Sequence, residues 1–297
     1  MTERLDGKPV AGALLEDGRR RVEAGARAGR RPPMLVSVHR DDPTSPFSVY
    51  LRRQSRTAAL AGVGFRDLGI ARDADATTLR TRLAELDADP NVDAVLVEHP
   101  LPPALDFLGA VASLRPEKDV DGVGPSSLGH LLAGRPIHAP AVAVGAIALA
   151  RHYGIRLSGQ RVAVIGRSAT VGLPLALLLL TKGAGGDATV TVAHSATPHL
   201  AQVLDGSEII FSCAGRPGLL GRSNVPRGAT VIDVGLSTVA DPSAPSGVRM
   251  AGDADAAALE GWASALTPVP GGVGPVTVAR LMSNAVDAWE RLAGSLR

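Results

Sequence analysis

Cysteine is almost missing from this sequence: Cys213 stands alone. An intrachain disulfide is therefore excluded, and a reducing compartment is expected. Aromatic residues make up only 3% of the chain, so Ala, Val and Leu must fill the core. Lysine is scarce as well. Lys8, Lys118 and Lys182 are the only ones, and Arg carries nearly all the positive charge. The plain reading is a compositional bias towards Arg and Ala. A charge excess is also lacking: the net charge is +2, with both signs interspersed, which argues against a nucleic-acid partner. No long apolar run is present. The longest, Leu173 to Leu180, contains Pro174 and is too short to span a bilayer. The first residues, MTERLDGKPV, are charged at once and hold no apolar signal core. A soluble cytoplasmic protein with no membrane partner is expected.

The chain has 297 residues, more than one compact core usually holds, so two domains are expected. Strand-like and helix-like stretches alternate. Residues 9–28 read as a helix, 34–40 (MLVSVHR) as a strand and 49–61 as a helix. A helix over 77–89, capped by Asp75 or Thr77, is followed by a strand over 92–100 and a helix over 106–114. A second alternation starts near residue 140. AVAVGAIALARHYG reads as a helix, and QRVAVIGRSATVGLPLALLLL as strand, Gly-rich turn and helix. Short β-branched strands follow at 188–195, 208–215 and 229–236. DPSAPSG reads as a surface loop, TPVPGGVGPVT (267–277) as a Gly/Pro loop and VARLMSNAVDAWERLAG as a closing amphipathic helix. Such alternation gives an α/β fold with parallel sheets covered on both faces.

Several stretches carry chemistry. GRSATVG (166–172) lies between a strand and a helix, where backbone N–H groups receive a phosphate. Its spacing is not GxGxxG, so the dinucleotide fingerprint is half met, and a simple Gly-containing turn is the plainer reading. Arg167 suits a 2′-phosphate. His194 reads as structural rather than catalytic. KDVDG (118–122) puts Asp119 and Asp121 in a loop, read locally as a solvated acidic turn. The 267–277 loop gives a flat ligand close access to backbone. VEHPLPP (97–103) ends an apolar run, closing with Val97, on a carboxylate and an imidazole, Glu98 and His99.

In order and spacing, LDGKPVA, DDPTS, Tyr50, DPNVDAVLV, PLP, KDVDG, GRSATVGLP, TVTVAHSAT, VIDVGL and TPVPGGVGPVT resemble the methylenetetrahydrofolate dehydrogenase/cyclohydrolase family. The resemblance covers nearly the whole chain. It implies a homodimer of two α/β domains with a cleft between them. One is a folate-binding catalytic domain with a parallel sheet, residues 1–140 plus 276–297. The other is a Rossmann-like NAD(P)-binding domain, residues 141–275. Carried over residue by residue, Gly166, Arg167 and Ser168 should hold the phosphates of NADP, with NAD the other option. Ser195 should lie near the adenosine ribose, Leu236 by the nicotinamide, and Thr277 on the cofactor side. Tyr50 should stack on the folate, beside Val97. Asp121 should bind the amino-amide edge of the pterin. Pro270, Gly271, Gly272, Val273 and Gly274 should line the folate pocket. No metal is implied.

Two departures concern the chemistry. The family carries a lysine four residues after the tyrosine, the main acid–base group of its cyclohydrolase step. Gln54 stands there in this chain. A slipped alignment would bring Arg52, Arg53 or Arg56 near instead, but arginine exchanges no proton near neutral pH. The family's glutamine, which partners that lysine, is replaced by Glu98, with His99 beside it. An ionised Glu98 reverses the local charge. The other reading is a Glu98 that is protonated, or neutralised by an arginine such as Arg53. A third departure is PAVAVG (140–145), where the family has a Cys-Thr-Pro segment. A carboxylate stabilises folate-derived cations, whereas hydrolysing them needs proton delivery. The expectation is NADP-dependent oxidation of 5,10-methylenetetrahydrofolate to the methenyl form, with weak or absent cyclohydrolase activity. Gln54, Glu98, His99 and Asp121 are the candidate catalytic residues. The alternative is a specialised methylene transferase acting through an iminium on an amine or phenol.

Overall fold

The computed structural model describes the chain except residues 42–46, 100, 103–104, 184, 245–246 and 295–297, with backbone alone at 47–50. Contacts divide it into two compact units. One holds Met1–Ala11 and Val142–Thr277, the other Gly12–Ala141 and Val278–Arg297. After the two domains that the sequence resemblance implies, they are called the nucleotide unit and the folate unit. The expected boundaries differ from these by one or two residues near 141 and 277, and in the first eleven residues. These group with the nucleotide unit because β1 (Glu3–Arg4) pairs in parallel with a strand near residue 265.

The long helix α1 (Lys8–Arg27) leads into the folate unit. There follow β2 (Met34–Arg40), α2 (Phe47–Leu60), β3 (Gly64–Ile70), α3 (Ala76–Ala88), β4 (Ala94–Val97), α4 (Phe107–Val111) and α5 (Pro125–Leu132). The three strands form a parallel sheet in the order β3-β2-β4. Side chains alternate across it, as the period of two requires. Leu35, Ala94 and Leu96 face one core with Val22, Ala58, Met282, Val286 and Trp289. Val36, Val38, Val95 and Val97 face another with Leu79, Leu83, Leu86, Ala110 and Val111. Asp75 rather than Thr77 caps α3, its Oδ1 accepting from Thr78 N at 2.7 Å. Packing of the Trp289 indole leaves no room at Gly25, where an added Cβ would lie 2.1 Å from the ring.

The nucleotide unit begins its second segment in α6 (Ala141–His152) and continues through β5 (Arg161–Ile165), α7 (Gly172–Leu180), β6 (Thr189–Ala193), α8 (Leu200–Leu204), β7 (Ile209–Ser212) and β8 (Thr230–Asp233). An antiparallel hairpin of β9 (Ser237–Ala240) and β10 (Val248–Ala251) comes next, then α9 (Ala256–Leu259), β11 (Ala265–Leu266) and α10 (Val273–Gly294). Six strands make a parallel sheet in the order β1-β11-β8-β7-β5-β6. From β5 the chain goes to β6 on one side and then to β7 on the other. The order therefore reverses at β5, the switch point where doubly wound sheets receive ligands. Helix α10 begins at Val273, so Val273, Gly274 and Thr277, expected in a loop, are helical. Pro275 is tolerated because its missing N–H lies in the first turn. Among the described residues no helix is long and apolar enough to cross a membrane.

Candidate functional site

In the folate unit, Gln54 projects from α2 and Glu98 follows the last residue of β4. Glu98 N donates to Val38 O at 2.8 Å, which fixes where strand pairing stops. Gln54 is fully buried and Glu98 is 8% exposed. Gln54 Nε2 donates to Glu98 Oε1 at 2.6 Å, and Ser37 Oγ, from the neighbouring strand β2, donates to the same oxygen at 3.2 Å. Gln54 Oε1 is buried with no hydrogen-bond partner among the described residues. Burial raises the Glu98 pKa above the usual carboxylate range, opposed by the bonds from Gln54 and Ser37 and by His39 nearby. No arginine pairs with Glu98 among the described residues. Arg52, Arg53 and Arg56 are exposed, so neutralisation by Arg53 is not what the structure has. His99 is also exposed. Its ring lies tilted against Phe107 with centroids 4.7 Å apart, and it makes no bond to Glu98. The side chain of Tyr50 and the DDPTSP loop up to Pro46 lie outside the described residues.

The KDVDG loop divides its labour. Lys118 is buried, and its Nζ donates to the carbonyls of Leu86, Asp87 and Asp89 at 3.0, 2.8 and 2.8 Å, closing the end of α3. Asp119 accepts from Gly122 N, Gly124 N and Ser127 Oγ, tying down the start of α5. Neither is the solvated acid of a surface turn. Asp121 alone keeps spare capacity. It accepts from Ala141 N, the first residue of α6, at a long 3.4 Å. Burial, with Asp119 and Glu98 nearby, pushes its pKa up to about 7, and the Ala141 bond opposes this. An acid so poised accepts N–H donors when ionised and donates when protonated.

In the nucleotide unit, the turn after β5 is shaped by two glycines. A Cβ at Gly166, whose φ is +121°, would meet Cys213 O at 2.6 Å, and one at Gly172 would meet Gly166 O at 2.2 Å. Ser168 Oγ accepts from Val171 N and Gly172 N at 3.2 and 3.3 Å, so this hydroxyl already caps the turn. Arg167 and Ser195 are both exposed, at the ends of β5 and β6. His194 has a structural role: its Nδ1 accepts from Ala196 N at 3.2 Å. Leu236, just past β8, leaves 57% of its surface exposed, an apolar contact free for a flat ring. The loop before α10 holds Pro270 exposed after a cis Val269–Pro270 bond, and Gly271 at φ +119°. Gly7 N donates to Gly271 O at 2.8 Å, and a Cβ at Gly7 would strike Gly272 O. Thr277 Oγ1 donates to Val273 O at 3.2 Å within α10. Among the described residues no group of His, Cys, Asp or Glu is placed to hold a metal.

Sequence reasoning missed Ser37. A serine at full burial between Val36 and Val38 is the signal that would have found it, since a buried hydroxyl needs a partner. It also missed the structural duties of Lys118 and Asp119.

Residues 5–121 match the catalytic domain of tetrahydrofolate dehydrogenase/cyclohydrolase, and residues 140–293 match its NAD(P)-binding domain. The chain belongs to the tetrahydrofolate dehydrogenase/cyclohydrolase family. Among curated relatives, the "Bifunctional protein FolD" of Chloroflexus aurantiacus is 42% identical over 98% of both chains. The protein of the same name from Nocardia farcinica is 40% identical over 99% of both. A solved Trypanosoma brucei N5,N10-methylenetetrahydrofolate dehydrogenase-cyclohydrolase (FolD), complexed with NADP cofactor and inhibitor, superposes with a TM-score of 0.90. It is 35% identical and covers 100% of this chain and 99% of its own. A 5,10-methylenetetrahydrofolate dehydrogenase from the silkworm Bombyx mori gives a TM-score of 0.91 at 32% identity, covering 99% of this chain and 100% of its own. The chain is thus an enzyme of the two-domain α/β folate family. Gln54, Glu98 and Asp121 fall within the family's catalytic domain, and Gly166 to Thr277 within its NAD(P)-binding domain.

Proposed function

We propose that this enzyme oxidises 5,10-methylenetetrahydrofolate to 5,10-methenyltetrahydrofolate with NADP as hydride acceptor, and hydrolyses the methenyl product weakly or not at all. The observation that carries the second half is the 2.6 Å bond from Gln54 Nε2 to Glu98 Oε1, with both side chains buried. An amide exchanges no proton at neutral pH, so a site built on Gln54 has lost the acid–base group that cyclohydrolysis uses. A carboxylate beside a developing cation lowers the barrier to hydride departure. The methenyl product is itself cationic, and Glu98 favours holding it over attacking it.

The oxidising half is supported by the turn at Gly166, by its place at the switch point of the sheet, and by the relatives' dehydrogenase names. Arg167 is the group fitted to a 2′-phosphate, which is the reason for preferring NADP to NAD. Asp121, whose one bond among the described residues is the long one from Ala141 N, is fitted to the amino-amide edge of a pterin. Pairing of two chains belongs to the same proposal. Leu173 and Leu180 on α7 are exposed beside the edge strand β6, and light scattering on the purified protein tests it.

The deciding experiment is a paired assay. Methylenetetrahydrofolate with NADP is followed for methenyl formation, and methenyltetrahydrofolate alone is followed for decay against buffer. Oxidation without accelerated decay is expected. Accelerated decay would show that another group does the work of the lysine.

A further inference from the structure

We propose that the folate site also passes the methylene carbon to a primary amine, with Glu98 receiving the proton that the amine sheds. This rests on the folate reading above and extends it to a reaction without NADP.

Three observations lead there. Both hydrogen bonds to Glu98, from Gln54 and Ser37, land on Oε1. Among the described residues nothing donates to Oε2, although the carboxylate is only 8% exposed. The basic side chain that acts on it is His39, whose Nε2 faces Asp67 Oδ2 at 3.6 Å, while Lys118 Nζ is held by three carbonyls at the end of α3. Asp121 adds a second acid whose single bond is long. The corner therefore offers acceptors and negative charge, and its complement is a ligand that brings hydrogens and positive charge. A primary ammonium brings three N–H groups and one positive charge. A phenol brings one O–H, and its deprotonated form is an anion that Glu98 and Asp121 repel. Between those two nucleophiles the geometry selects the amine. Burial also makes Glu98 a stronger base than a surface carboxylate, as proton removal from an ammonium requires.

The step balances without a change of oxidation state. Glu98 takes one proton from the ammonium and passes it to N10 as the N10–methylene bond opens, which leaves the N5 iminium. The amine lone pair attacks the methylene carbon once Glu98 has taken one ammonium proton, and a carbon–nitrogen bond forms. The carbon–N5 bond then breaks, its electron pair stays on N5, and a second proton from the amine goes there. The ammonium has given one proton each to N10 and N5. Tetrahydrofolate and the methylene iminium of the amine leave, with the single positive charge conserved.

The test uses the whole enzyme, methylenetetrahydrofolate labelled with carbon-13 in the methylene group, and benzylamine as probe, with 4-methylphenol as the competing nucleophile. NADP is omitted. Borohydride quenching turns the transferred unit into N-methylbenzylamine, which mass spectrometry counts. Transfer to benzylamine at about 100-fold above the enzyme-free mixture is expected, with none to the phenol. Glu98→Gln should remove most of that rate. Should that variant not fold, Gln54→Lys serves, because a new cation beside Glu98 repels an ammonium, and at least about a tenfold loss is expected. Transfer no faster than the enzyme-free mixture, in a preparation that reduces NADP with the same folate, overturns the amine proposal and leaves the dehydrogenase reading intact. Preference for the phenol, or equal rates in wild type and both variants, overturns it as well. Loss of both reactions takes down the folate reading with it.

Discussion

Each unit holds two carboxylates taken largely out of water, and the two pairs are treated very differently. In the nucleotide unit, Asp253 accepts from Ser212 Oγ, Ala214 N and Arg216 N. Asp233 accepts from Gly235 N, Asp253 N and Ala254 N. Every one of their oxygens is used, and the ends of β7 and β8 are knotted to the segment before α9. Among the described residues of the folate unit, Glu98 has one oxygen filled and Asp121 has a single 3.4 Å bond. A buried acid costs several kcal/mol unless it is well paired. Full satisfaction marks a carboxylate that holds the fold. Partial satisfaction leaves a carboxylate with room to accept further hydrogen bonds.

The largest effect should come from breaking the satisfied pair. Asp253→Ala strands three donors at once, and a loss of at least about 3 kcal/mol is expected in urea unfolding. Glu98→Gln should do the reverse, leaving the midpoint unchanged or raised at neutral pH, since it removes a buried charge; a loss as large as that of Asp253→Ala would erase the distinction. Gln54→Lys restores a titratable group, and methenyltetrahydrofolate decay should rise by about 100-fold. Arg167→Ala should weaken NADP by about tenfold while NAD changes little; titration with each nucleotide reads this, and equal losses would remove the 2′-phosphate role.

The last effect is one of pH. Asp121 has its pKa raised from 3.8 to about 7 in the folded chain. The folded state then holds a proton that the unfolded chain has lost. This share of stability is fully present below 3.8 and is lost as pH rises through about 7. Asp121→Asn should flatten the dependence of the melting temperature on pH in that window. An unaltered slope would mean that Asp121 is not the acid responsible.

Much of this was legible in the residues. Strands β2 and β4 are apolar runs with turn residues at both ends, and α3 has its cap written in at Asp75. Strand β3 was not legible, because Gly64–Ile70 is an edge strand with Arg66 and Asp67 in its middle. Strands β1 and β11 are two residues each; β1 pairs with β11 across some 260 positions of sequence, and β11 pairs with β8 on its other side. The replacement of a lysine by Gln54 and the arrival of Glu98 could be read from spacing. Their contact, the third partner Ser37 and the outward turn of His99 could not, since these depend on which face of β2 and β4 meets α2. Asp119 of KDVDG was misread for the same reason: a charged residue in a loop looks solvated until the backbone groups it caps are known.

The clamp that Lys118 makes on the end of α3 has a practical corollary. The other two lysines, Lys8 and Lys182, are exposed and both lie in the nucleotide unit. A dye, a biotin or a resin coupled through lysine side chains will therefore attach to that half alone. The folate half passes through such chemistry unmarked, so the enzyme can be tethered or labelled with every ionisable group around Glu98 left as it was.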